Sequence, residues 1–193
     1  ATNLIKVAAK SGADAIKFQT YNPKTVYVPN AGKSRYLTKS GINKNIFELF
    51  QEYSMPHKML KDLSLICKKE KILFMSTPFS VDDAKKVNKF VKIHKIAAFE
   101  INHVRLLEYL ASTKKPIIIS TGASNFSDID FAVKLLKRKG VKTICLLQTT
   151  SKYPTPIESL NLKAILELKK RYQVPIGLSD HSVEPILGPT LAI

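Results

Sequence analysis

The chain has 193 residues, 45% of them hydrophobic and 24% charged, with a formal net charge of +16. That length supports one domain with a sizeable core, and the composition is that of a soluble globular protein rather than a disordered chain. No apolar run reaches the ~18 residues a membrane span needs, and the basic excess is spread as singles and pairs rather than as a stripe, so a membrane helix is excluded and a nucleic-acid surface is disfavoured.

Residues 4–11 (LIKVAAKS) predict the end of a helix stopped at Gly12, and nothing upstream has the basic leader and cleavage pattern of a signal peptide. Residues 15–20 (AIKFQT) predict the first strand. A long polar segment follows at 21–53, punctuated by Asn22-Pro23, Pro29-Asn30, Gly32 and Gly41; a loop of that length is functional or mobile. Beyond it, helices are expected at 56–70, 81–90, 104–113, 127–139 and 157–172, with another starting near Pro185. Pro56 stands where a first-turn proline is welcome, and Ser80 with Asp83 has capping spacing. Strands are expected at 72–77 (ILFMST), 93–100 (IHKIAAFE), 116–122 (PIIISTG), 143–151 (TICLLQTTS) and 174–181 (VPIGLSDH).

Six short apolar strands alternating with helices predict a parallel α/β sheet, and each strand ends in polar residues at its carboxyl end, where such folds collect their chemistry. No GxGxxG follows the first strand, which argues against a dinucleotide-binding doubly wound sheet. Dispersal of polar clusters over many strand ends favours a (β/α)8 TIM barrel. With about six of eight strands visible and a helix at each end, the expectation over 1–193 is an incomplete barrel lacking its first and last strands.

Lys17 and Lys95 lie inside apolar strands, where a cation is costly unless it meets an anion or a partner. Brought together with Thr77, Ser120, Ser151 and Ser179, they would form a phosphate or carboxylate pocket. Glu100 closes an apolar run and is a candidate for binding sugar hydroxyls or moving protons, while Asn102 and His103 can cap the next helix. Of the four histidines, His57, His94 and His103 read as structural or surface residues. His181, after Ser179 and Asp180 at a strand terminus, is a candidate ligand for a divalent metal. Cys67 and Cys145 have no metal spacing and read as buried reduced thiols, which fits a cytoplasmic protein.

In order and spacing, GADAIKFQT, STPFS, KIAAFEI, KPIIISTGAS, TTSKYPTP followed by SLNLKAI, and IGLSDHS resemble the N-acetylneuraminate (sialic acid) synthase family, with its pseudaminic acid, legionaminic acid and spore-coat relatives. The resemblance spans nearly the whole chain. It implies a TIM barrel that condenses phosphoenolpyruvate with an open-chain acylamino hexose, using Mn²⁺ or Mg²⁺, to give a nonulosonic acid and phosphate. By that resemblance Lys17, Thr77, Lys95, Ser120 and Ser179 match positions cradling phosphoenolpyruvate, and Glu100 and Tyr153 match positions contacting the amino sugar. Ser151 stands at a position that is asparagine in some members, and His181 matches a metal ligand. Lys95 and Glu100 are the catalytic candidates.

The resemblance also implies a homodimer when full length, an antifreeze-like C-terminal domain outside 1–193, and a fragment that is inactive without the glutamate of the opening strand and the second histidine of the closing one. Ala98 departs from a serine, and Gln148 from a histidine, found in many members. Two other readings stay open: a barrel lyase or aldolase using Lys17 or Lys95 as a Schiff-base lysine, and a non-catalytic basic binding protein.

Overall fold

A computed structural model of the protein describes residues 1–34, 37, 38 and 41–192. It divides into two compact units, Ala1–Val91 and Lys92–Ile193.

The first unit opens with helix α1 (Thr2–Lys10), then strand β1 (Ala15–Thr20), the short helix α2 (Pro23–Val26), α3 (Ile46–Glu52), α4 (Met59–Lys69), β2 (Leu73–Pro78) and α5 (Val81–Asn88). The long segment at 21–53 is therefore not structureless: α2 and α3 lie within it, and an antiparallel bridge joins Lys33 to Asn45. Its residues 35, 36, 39 and 40 lie outside the described set. Strands β1 and β2 pair in parallel with Lys17 opposite Met75 and Gln19 opposite Thr77. Paired residues of a parallel ladder share a face. One face, carrying Ile16, Phe18 and Phe74, packs with Ile5, Leu60, Leu63, Cys67, Val87 and Val91 into the helix-covered core. The other carries Lys17, Gln19, Met75 and Thr77.

Helix α4 starts three residues later than its proline predicts, because Met59 and Leu60 bond back to the Pro56 and His57 carbonyls in a preceding turn. Ser80 caps α5 as expected, accepting from Asp83 N at 3.1 Å. Its hydroxyl also donates to the Asp83 carboxylate, which in turn holds His57 Nε2 at 2.9 Å. His57 thus ties the turn before α4 to α5, the structural role its sequence position indicates.

The second unit runs β3 (His94–Ile96), a 3₁₀ turn (Ala98–Glu100), α6 (Val104–Ser112), β4 (Ile117–Ser120), α7 (Phe126–Arg138), β5 (Ile144–Thr149), a 3₁₀ turn (Ile157–Ser159), α8 (Ala164–Tyr172), β6 (Ile176–Ser179) and α9 (Leu187–Leu191). Its four strands form one parallel sheet in the order β3-β4-β5-β6. The helix predicted over 157–172 is split because Asn161 takes a left-handed φ of 50°, which an α-helix cannot contain. Strand β3 is shorter than predicted, ending before Ala98, so Glu100 projects from a turn rather than from the strand. His103 caps α6 through Nδ1, which accepts from Leu106 N. Asn125 and Asp128 close a capping box on α7, whose Ile129, Ala132, Val133 and Leu136 repeat at helical spacing and are buried.

The register sorts the strand residues into two sets. His94, Ile96, Ile117, Ile119, Ile144 and Leu146 form a fully buried apolar face, and Lys95, Ile118, Ser120, Cys145, Leu147, Thr149 and Ser179 alternate onto the opposite one. Burial, with Lys115 nearby, lowers the pKa of His94 from 6.5 to about 4. The folded state therefore binds fewer protons than the unfolded state between these values, and stability is lost as pH falls through that window. Stability should drop by about 3 kcal/mol between pH 7 and pH 4 from this group, and His94→Phe should flatten that limb of the pH–stability curve measured by urea unfolding. An unchanged limb would show that His94 is not its source.

Both cysteines are free thiols, Cys67 buried as expected and Cys145 only half-buried. Among the described residues no helix is long and apolar enough to cross a membrane.

Candidate active site

In the second unit, the sequence-predicted residues fall into two groups at the carboxyl ends of the strands. Lys95 is 6% exposed and Ser120 5%, and the Lys95 ammonium donates to Ser120 Oγ at 2.7 Å and to the Ile96 carbonyl at 2.7 Å. A cation in this setting survives because hydrogen-bond acceptors replace the water it has lost. Cys145 shares its face, one strand beyond Ile118; burial raises its thiol pKa while the Lys95 charge opposes the rise.

Glu100 stands at the end of the turn after β3, and one carboxylate oxygen, Oε2, is buried without a hydrogen-bond partner among the described residues. Desolvation raises its pKa, opposed by its own backbone N–H and by the charge of Lys95. An acid with a raised folded pKa binds more protons folded than unfolded, so its charge costs stability as pH rises above the ordinary carboxyl value of 4.5. Glu100→Gln should therefore raise the melting temperature at neutral pH, and the gain should vanish in melts run at acid pH below the carboxylate range. A variant less stable at pH 7 would mean that an unseen partner stabilises the charge.

The second group surrounds His181. Its Nδ1 lies 3.0 Å from the Thr150 carbonyl, which can only accept, so Nδ1 carries the proton and Nε2 is the lone-pair nitrogen of the neutral ring. Tyr153 OH and Ser179 Oγ lie 3.3 and 3.4 Å from Nε2, and the Tyr153 ring stacks on the imidazole with centroids 4.2 Å apart. Ser151 seats its hydroxyl against Gly122, just beyond β4. Asp180 closes the turn after β6 by accepting from Ser182 N at 2.9 Å and Ser182 Oγ at 3.0 Å.

In the first unit, Lys17 and Thr77 share the face opposite the helix-covered core, two positions apart in register. Thr77 is buried. Lys17 is more exposed than its apolar strand predicts, yet enough protein surrounds its ammonium for desolvation to lower its pKa.

Sequence reasoning missed three features. The Thr150 carbonyl orients His181 through the backbone, which no residue type advertises. Gly122 makes room for Ser151; its only signal is a glycine directly behind a hydroxylated strand end. On the outer surface, Arg171 grips Asp130 through two hydrogen bonds, from Nε at 3.0 Å and Nη2 at 2.6 Å, and Tyr172 OH adds a third at 2.8 Å. These bonds lower the Asp130 pKa to about 2, while burial and Asp130 raise that of Tyr172 to about 12. This pair borders a cleft of about 330 Å³ that also meets Val133, Lys134 and Lys137 and contains none of the candidate residues.

The NeuB family model matches residues 4–193. The chain belongs to the NeuB family. It is 36% identical over 192 residues to the pseudaminic acid synthase of Campylobacter jejuni, covering 98% of this chain and 55% of that protein. It is 34% identical to the spore coat polysaccharide biosynthesis protein SpsE of Bacillus subtilis, covering 98% of this chain and 51% of that protein. The chain thus spans about half the length of the curated relatives it matches.

Its fold is similar to the crystal structure of the N-acetylneuraminic acid synthetase of Leptospira borgpetersenii, solved with citrate, with a TM-score of 0.86 at 34% identity over 99% of this chain and 62% of that one. A truncated 3-deoxy-D-arabino-heptulosonate 7-phosphate synthase of Thermotoga maritima, 17% identical with a TM-score of 0.68 over 94% of this chain and 58% of that one, shares the fold alone. The NeuB chain is therefore α/β and of the (β/α)8 TIM-barrel class, with six of its strands among the described residues.

Proposed function

We propose that this protein serves a synthase that condenses phosphoenolpyruvate with an acylamino hexose, giving a nonulosonic acid and inorganic phosphate. The observation that carries the reading is the buried Lys95–Ser120 pair at adjacent strand ends, in a chain whose similar relatives include a pseudaminic acid synthase. A buried ammonium and hydroxyl on one face are suited to gripping the carboxylate or phosphate of an enol ester. On the family resemblance, Ser179 serves the same ligand.

In the reaction, carbon 3 of phosphoenolpyruvate forms a bond to the aldehyde carbon of the sugar, water adds at carbon 2, and the C–O bond to phosphate breaks. Lys95 and Ser120 hold the anionic charge in place while this happens. Glu100, its pKa raised by desolvation, is suited to accept sugar hydroxyls and to hold a proton at its carboxyl group. Tyr153 contacts the acceptor.

The donor set fits a divalent ion in one respect. A protonated Nδ1 on a backbone carbonyl and a lone pair at Nε2 are the arrangement of a metal-ligating histidine, so His181 would be one ligand of Mn²⁺ or Mg²⁺. Among the described residues no group of three or more His, Cys, Asp or Glu side chains could hold an ion. When bound, the ion supplies Lewis-acid polarisation of the aldehyde oxygen. The family resemblance also supports a homodimer in the cytoplasm.

A Schiff base at Lys95 is not favoured, since Lys95 is engaged as a donor to Ser120 and Ile96 rather than poised as a free amine. The test is phosphate release by the full-length protein given phosphoenolpyruvate, Mn²⁺ and a panel of acylamino hexoses. Release with at least one sugar supports the synthase; silence across the panel removes it. Inactivation by borohydride in the presence of a carbonyl substrate would instead favour an imine.

A further inference from the structure

The segment after β5 reaches the site by an unusually close approach to the residue after Thr121. A Cβ on Gly122 would meet Ser151 Oγ well inside contact distance, Thr149 O at 2.8 Å and Thr149 Cβ at 3.2 Å. Two of these atoms belong to Thr149, at the end of a buried strand, where backbone cannot yield cheaply. Gly122 has no φ in the left-handed region, so conformation alone does not demand glycine there; the demand is for space.

What that space controls is one residue away. The Thr150 carbonyl lies between Thr149 and Ser151 in the chain and takes the Nδ1 proton of His181 at 3.0 Å. The same carbonyl accepts from Thr155 Oγ1 at 3.3 Å, and Thr155 N donates to the His181 carbonyl at 2.9 Å. Thr150, Thr155 and His181 are thus linked to one another by three hydrogen bonds, and any outward push on Thr149 and Ser151 passes into the imidazole.

We infer that Gly122 is a positioning residue: its missing side chain lets the 149–151 segment close onto the end of β4, and this fixes the carbonyl that orients the His181 ring. That the oriented ring matters for turnover rests on the proposed function; the seating itself does not.

The chain has four histidines, so the imidazole ¹⁵N–¹H spectrum at fixed pH reads the ring directly. Gly122→Ala should move the His181 cross-peaks and leave those of His57, His94 and His103 in place. In the full-length protein, the same substitution should weaken Mn²⁺ binding, followed by the free-ion electron paramagnetic resonance signal, by roughly 10- to 100-fold. Adding Ser151→Gly, which removes the nearest contact, should return the His181 peaks part of the way.

Unmoved His181 peaks, or equal shifts at all four histidines, would overturn the inference. If Gly122→Ala fails to fold, the double variant is read in its place. Recovered folding with displaced His181 peaks supports the seat, and continued misfolding shows that Ser151 is not the group Gly122 makes room for. Displaced His181 peaks in Gly122→Ala, alongside a wild-type full-length protein that releases no phosphate with any acceptor, would leave the seat standing and remove the synthase reading.

Discussion

Replacing Lys95 with alanine should lower phosphate release by about 10³-fold, the scale of losing a preorganised cation at developing charge, while the protein stays folded. Two effects on stability oppose each other. Ser120 Oγ and the Ile96 carbonyl each lose a donor, at a cost of about 1–3 kcal/mol each. The desolvation of a buried ammonium disappears at the same time and offsets part of that cost. Lys95→Met, which keeps the length of the side chain without its charge, should be at least as stable as Lys95→Ala and equally inactive. Lys95→Arg should not rescue turnover, because a planar guanidinium does not fit a space shaped for a compact ammonium. Circular dichroism melts beside initial rates decide the matter: a folded Lys95→Ala protein that keeps its turnover removes Lys95 from the site.

The second large effect is expected at His181. The ring makes one well-formed hydrogen bond, to the Thr150 carbonyl, so His181→Ala should cost only about 1 kcal/mol of stability. Its effect on Mn²⁺ should be far larger. Altering the outer partner of a metal-ligating histidine typically costs 10- to 100-fold in affinity, and removing the ligand itself should cost at least ~100-fold. Turnover in His181→Ala should fall accordingly and recover only in part at high Mn²⁺. Equal Mn²⁺ affinity in the wild type and the variant would show that His181 is not a ligand.

The strands were the most legible elements, because short apolar runs such as 117–120 and 144–149, bounded by turn and polar residues, are too brief for helices. Helix boundaries were less so. The break at Asn161 depends on a left-handed backbone that asparagine tolerates but does not require, and the late start of α4 depends on two backbone hydrogen bonds. Glu100 shows the same limit in the site: its residue type was readable, but its place in a 3₁₀ turn with one buried oxygen was not.

Register, which sets which residues share a face, is a property of pairing rather than of either strand. The sequence placed Lys95 inside one strand and Ser120 near the end of another, but only the offset pairing of β3 with β4 brings the ammonium to the hydroxyl. The order and spacing of six motifs carried the family, and the match over residues 4–193 bears that out. Backbone groups such as the Thr150 carbonyl stayed invisible, since every residue has one.

The central claim is that strand-end cations and hydroxyls hold phosphoenolpyruvate while carbon 2 loses its oxygen to phosphate. It is tested most directly with phosphoenolpyruvate labelled with ¹⁸O at the bridging position, given to the full-length protein with Mn²⁺ and an accepted acylamino hexose. Phosphorus resonance should show the label leaving with the inorganic phosphate, as C–O cleavage requires. Unlabelled phosphate, with the heavy oxygen kept in the organic product, would contradict the account.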